Sequence, residues 1–126
     1  MSDVPTPDSP GRFAYDGLDR VLHEKARLGV LVSLSTRPQG LLFAELKELC
    51  ALTDGNLSRH LDALAKASLI EIHKGYEGRR PQTRITLTAA GKRRFLAYLA
   101  ELERVVHDAR AEASRQPDAR PGWAPG

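Results

Sequence analysis

Leu57, Leu61 and Leu64 fall at i, i+4 and i+7 within TDGNLSRHLDALAKASL, residues 53–69, which places them on one stripe of an α-helix. That stripe faces a core. Arg59 and Lys66 point the opposite way, flanked by Gly55, Asn56, Asp62 and Ala63, so the outer face is slender, polar and positively tipped. Upstream, Phe43 to Cys50 reads as a short helix: Leu46 and Leu49 face inward, and Ala44, Glu45, Lys47 and Glu48 favour helix by propensity. A brief turn over residues 51–54 separates the two, with Thr53 or Asp54 as N-cap of the second. An earlier helix is predicted from about residue 17 to 36, capped by Asp16 and ended by Pro38 and Gly40. Its apolar positions are Leu18, Val21, Leu22, Leu28, Leu31, Val32 and Leu34, and only the second half is expected to enter the core.

The period then changes. Ile70 and Ile72, followed by Ile85 and Leu87, alternate with Glu71, His73, Arg84 and Thr86, the period-2 pattern of a half-buried β-hairpin. The ten residues between them, KGYEGRRPQT, are too long for a tight turn and carry two glycines and the adjacent Arg79 and Arg80. This predicts a basic wing. Thr88 caps a final helix over about 89–114, in which Phe95, Leu99, Leu102, Val106, Ala109 and Ala113 follow at alternating spacings of four and three. A heptad seam of that length, on the order of 40 Å, exceeds what so small a core can cover. We expect it to pack on the first half of the first helix and on the same helices of a second copy; an intramolecular antiparallel hairpin is the alternative.

The elements assemble into one mainly α domain with a small β-hairpin: residues 16–114, comprising a helix-turn-helix at 43–67, a wing at 69–88 and the long helix at 89–114. Six of the eight prolines lie near the ends, so residues 1–15 and 115–126 are expected to be flexible tails, with Trp123 in the second.

Charge sharpens this picture. The net charge is +3, yet residues 58–94 hold nine basic and three acidic side chains, a net +6, while the remainder carries 10 against 13, or −3. Concentrated positive charge marks a polyanion partner. Asn56, Ser58, Arg59 and His60, in the N-terminal half of the outward-facing helix, are types that hydrogen-bond base edges or phosphates. Arginines on an extended loop suit a narrow minor groove. No apolar run approaches the roughly 18 residues of a spanning helix, the acidic, proline-rich start lacks signal-peptide character, and the single Cys50 permits no internal disulfide. We expect a cytoplasmic protein with no membrane contact.

In this order of elements the chain resembles compact stand-alone winged-helix transcriptional regulators of bacteria, and is similar to the MarR and ArsR groups. The resemblance rests on HEKARLGVLVSL, FAELKELCALTDGNLSRHLDAL and KGYEGRRPQTRITLTAAGKRRF, and spans residues 18–98. It implies a homodimer whose recognition helices enter successive major grooves and whose wings reach the flanking minor grooves. Carried over by position, Thr53, Asn56, Ser58, Arg59 and His60 would meet bases or nearby phosphates, Lys66 a phosphate, and Arg79, Arg80 and Arg84 the wing's groove. The dimer interface would take Leu18, Val21, Leu22, Phe95, Leu99, Leu102, Val106 and Ala109. Ser68 departs from the pattern, since related sequences usually have glycine there to leave the recognition helix in a left-handed conformation.

Other chemistries find little support. No phosphate-binding glycine motif, Ser-His-Asp context or metal-ligand cluster points to an enzyme, and no cofactor is expected. His23, His60, His73 and His107 are scattered; Glu103 and His107, one turn apart, form only a pair. An apolar effector would lodge between the first and last helices, although no convergent polar groups single out a site. The leading function is sequence-specific binding of double-stranded DNA by a dimeric regulator. The alternative is a winged-helix protein-interaction module, against which the +6 segment and the scarcity of exposed aromatics beyond Tyr76 argue.

Overall fold

The computed structural model describes residues 9–115. The order of elements is α1 (Lys25–Ser35), β1 (Leu41–Leu42), α2 (Phe43–Cys50), α3 (Asp54–Lys66), β2 (Ile70–Glu77), β3 (Arg80–Leu87) and α4 (Ala89–Arg115). The Pro-rich ends and Trp123 lie outside the described residues, apart from the segment beginning at Ser9.

The first helix is shorter than its apolar pattern predicts. Residues 9–24 form a run of turns, and α1 begins only at Lys25. Asp19 explains the change: its carboxylate accepts from the Val21 N–H at 2.9 Å, its carbonyl takes the Leu22 and His23 N–H groups, and Arg94 holds the carboxylate from α4 at 2.6 Å. A short polar side chain competing for backbone donors breaks helix here. The strap so formed runs antiparallel to α4. Residues 9–15, expected in a tail, are tied to the distal end of that helix, and Leu22, expected at a dimer interface, is fully buried in the chain's own core.

The helix-turn-helix follows the apolar pattern closely. Leu46 of α2 and Leu57, Leu61 and Leu64 of α3 are buried with Val30, Leu31 and Leu34 of α1. Leu49 is the exception, 64% exposed on the outer side of α2. Thr53 caps α3 by accepting the Asn56 N–H at 3.2 Å. Lys47 of α2 pairs with Asp54 at 2.9 Å, bridging the turn on its solvent side.

The sheet has one strand more than expected. β1, two residues long, pairs antiparallel with β3 at Leu41↔Ile85 and Leu42↔Arg84, giving the order β1-β3-β2. So short a strand offers no alternation to detect. The wing also differs: β2 and β3 stay paired as far as Glu77↔Arg80, leaving only Gly78 and Arg79 as the turn. Gly78 has φ +63, which suits glycine at the first position of a type II′ turn. Pro81 fits because it lies opposite Tyr76 at a non-hydrogen-bonded pair, where the missing N–H costs no bond to β2.

Ser68 does take the left-handed conformation, with φ +62. Around it α3 ends in a Schellman pattern: Leu69 N–H donates to the Leu64 carbonyl at 3.0 Å, and Ser68 N–H to Ala65 at 2.9 Å. Thr88 secures this exit, its hydroxyl donating to the Ser68 carbonyl at 2.8 Å while its oxygen also caps α4 by accepting the Gly91 N–H. A Cβ at Gly91 would lie 2.0 Å from the Leu69 carbonyl oxygen, so only glycine lets α4 start against the recognition helix's exit.

Candidate nucleic-acid interface

The outward face of α3 carries Asn56, Ser58, Arg59 and Lys66, all exposed, as is the N-cap Thr53. Arg59 Nη2 donates to the Asn56 carboxamide oxygen at 3.2 Å, which holds the guanidinium along the helix surface. His60 is not on this face. It is buried, with its Nδ1 3.3 Å from Arg27 Nε and 3.3 Å from the Glu24 carboxylate, so the expected base contact is a core-side residue. One residue per 100° of helix separates the two outcomes: Arg59 clears the leucine stripe and His60 falls beside it.

The wing divides by strand alternation into two faces. Ile70, Ile72, Lys74 and Tyr76 of β2 share one with Leu87, Ile85, Thr83 and Pro81 of β3; that face turns toward α3. Phe43, Ser58, Asp62, Ile72, Lys74 and Thr83 line a cleft of about 350 Å³ there. Lys74 thus stands across the cleft from Ser58, and Tyr76, the most exposed large apolar side chain among the described residues at 76%, continues the same face toward the tip. Neither stood among the expected contacts. Strand alternation carried forward from Ile70 and Ile72 would have found both, but the intervening residues read as loop.

Arg79 and Arg80 are exposed at the turn. Arg84 is different: it lies opposite His73 and Leu42, half-buried on the face away from α3. The structure therefore groups Thr53, Asn56, Ser58, Arg59, Lys66, Lys74, Arg79 and Arg80 on or around the α3 and wing surface, and sets His60 and Arg84 apart. Among the described residues none of Arg59, Lys66, Lys74, Arg79, Arg80 and Arg84 forms an ion pair, so their charge faces solvent unneutralised.

Residues 26–106, which include this whole surface, match the family model of the winged helix DNA-binding domain. The chain belongs to that family. As a winged helix DNA-binding domain it shares its fold with solved regulators. A transcriptional regulator homologue from Pyrococcus horikoshii is 26% identical, with 72% of this chain and 89% of that one covered at a TM-score of 0.68. MepR of S. aureus, solved in complex with DNA, is 19% identical over 82% of this chain and 84% of its own, with a TM-score of 0.62. M. tuberculosis MosR, also in complex with DNA, is 20% identical over 84% and 71%, with a TM-score of 0.58. No curated protein matches the chain.

The strap and α4 frame the other side of the winged helix domain. Arg12 makes two hydrogen bonds to Asp108, at 2.9 and 3.0 Å, and the Tyr15 hydroxyl donates a third at 2.8 Å. These donors hold the Asp108 carboxyl down at a pKa of about 2. Gly17 N–H donates to Glu101, and His23 bonds the buried Tyr98 hydroxyl. Phe95, expected at a dimer interface, is buried in the core at 4% exposure. Leu18 and Val21 pack against that core, while Leu99 and Leu102 line an open groove with Val106, which is 44% exposed; Ala109 is exposed one turn on. A second groove, about 490 Å³, opens between the end of α1 and the start of α4, with Val32, Pro38 and Leu96 as walls and Arg37 and Lys92 at its rim. No described helix is long and apolar enough to cross a membrane.

Proposed function

We propose that this protein is a dimeric transcriptional regulator that binds double-stranded DNA sequence-specifically, with α3 in the major groove and the wing tip in the minor groove. The observation that carries the reading is the set of unpaired cations around one convex helix and one hairpin tip. Of the acids interspersed among them, Asp54 pairs with Lys47 of α2, Glu71 lies beside His73, and Glu77 takes the Gln82 amide, so none of these three neutralises the cations. MepR and MosR, which share the fold, were solved with DNA. Asn56, Ser58 and Arg59 read bases; Thr53, Lys66 and Lys74 meet phosphates; Arg79 and Arg80 enter the minor groove. Arg84 contributes to the general field rather than to a contact at the tip.

Leu99, Leu102, Val106 and Ala109 supply the surface for a second copy. An exposed apolar line on a helix reaching beyond its core is what a twofold partner covers. The protein then works in the cytoplasm, where its DNA is.

The test is a fluorescence-anisotropy titration against duplex DNA from upstream of its own gene and against a scrambled duplex, at two salt concentrations. Tighter binding to the native duplex, weakening steeply with salt, is the expected result. Absence of binding at low salt overturns the reading and favours a protein-interaction module.

A further inference from the structure

The recognition helix carries one polar side chain on its inner side. His60 Nδ1 lies 3.3 Å from a donor, Arg27 Nε, and 3.3 Å from an acceptor, the Glu24 carboxylate. One ring nitrogen serves only one of them at a time. Neutral, it offers a lone pair to Arg27; protonated, it donates to Glu24 and faces Arg27 as a like charge. Arg27 is itself tethered, donating through Nη1 to the Val21 carbonyl of the strap at 3.1 Å and lying 3.4 Å from Glu24.

We propose that His60 is a positioning residue for the recognition helix, a proton-operated clamp that sets how α3 seats on α1 and the strap. The inference rests on α3 being the DNA-reading element. In the neutral state the strap holds Arg27, and Arg27 holds His60, so α3 presents Asn56 and Arg59 outward in a fixed register. On protonation the imidazolium leaves Arg27 for Glu24, and because His60 is on the rigid helix, Arg59, its immediate neighbour, moves with it. The charged groups facing His60 are Glu24 at the N-cap of α1 and Arg27 within α1. Among the described residues no other charged side chain bonds its ring, and Arg59 and Asp62 on its own helix are exposed. Neither partner is deeply buried: the Arg27 side chain is 22% and the Glu24 side chain 42% exposed, so protons reach the cluster without unfolding.

Two measurements separate this clamp from the DNA reading it rests on. In the free protein, an NMR pH titration following the His60 ring, the Arg27 Nε–H and the α3 amides is expected to show all three changing with one common midpoint. The correlated Arg27 and α3 changes disappear in His60→Gln, which keeps a neutral hydrogen-bonding group. A His60 ring that titrates while Arg27 and the Arg59 amide stay still overturns the clamp, whatever the protein does with DNA. The second measurement is affinity for a fluorescein-labelled mixed-sequence duplex as a function of pH. His23, His73 and His107 are common to both proteins, so the ratio of wild-type to His60→Gln affinity isolates the clamp. That ratio is expected to fall about two- to tenfold as pH drops through the His60 midpoint, the worth of one hydrogen bond. A pH-independent ratio overturns the coupling to DNA. If neither protein binds the duplex, the proposed function fails while the free-protein titration still decides the clamp.

Discussion

Two sets of arginines divide this molecule. On the strap and α4, Arg12 meets Asp108, Arg94 meets Asp19, and Arg104 meets Glu101 at 3.1 Å while its guanidinium lies over the Tyr15 ring. On α3 and the wing, Arg59, Arg79 and Arg80 meet no acid, although the wing's own Glu71 and Glu77 are on the hairpin. The difference is one of partner choice: Arg80 lies directly opposite Glu77 on the wing's outer face, yet Glu77 takes the Gln82 amide at 2.9 Å and Glu71 lies beside His73. Paired charges on the first surface fix the strap in place. Unpaired charges on the second keep their field for a polyanion. Substitutions in the two sets should therefore fail in different assays.

The largest separation is expected for Arg79→Ala with Arg80→Ala. Binding should weaken by about 10- to 100-fold on every duplex, and the slope of log affinity against log salt should fall by about 2, with the melting temperature unchanged. A melting temperature that moves with the affinity would merge the two surfaces. Arg59→Ala comes next, costing about 1–3 kcal/mol at one base position per half-site; equal losses on all sequences would remove its base-reading role.

Asp108→Asn should do the reverse, lowering the melting temperature and leaving the salt slope of DNA binding alone. Its acid response gives a finer check. The folded carboxyl titrates at about 2 against an ordinary 3.8, so its contribution is present above pH 3.8 and lost as pH falls toward 2. Thermal melts of the wild type across that window should show a loss that the Asn variant lacks. The smallest effect belongs to Ser68→Gly, which relieves a left-handed serine at the exit of α3; a gain of about 0.5–1 kcal/mol in urea melts, with DNA affinity unaltered, is expected.

The helix-turn-helix was legible because its signals are local. Leu57, Leu61 and Leu64 share a stripe by spacing alone, Thr53 and Thr88 cap by residue type, and the observed α3 and α4 bounds lie within a residue of those predicted. The exposure of Asn56, Ser58, Arg59 and Lys66 follows from the same wheel. Where reading failed, the deciding partner lay far along the chain. Leu18 to Leu22 have helical spacing, but Asp19 is claimed by Arg94, 75 residues on, and the strap wins over the helix. Leu22 and Phe95 look like interface residues by spacing, yet both are buried in the chain's own core.

Residue order alone thus determined the periods of α3, the hairpin and α4, the caps of α3 and α4, and the concentration of positive charge over residues 58–94, since each depends on neighbours within about one turn or one hairpin. Tertiary structure decided which charges are neutralised, that β1 exists at all, and that His60 turns inward to Arg27 and Glu24. Those outcomes hang on contacts between distant segments, whose energies no local spacing encodes.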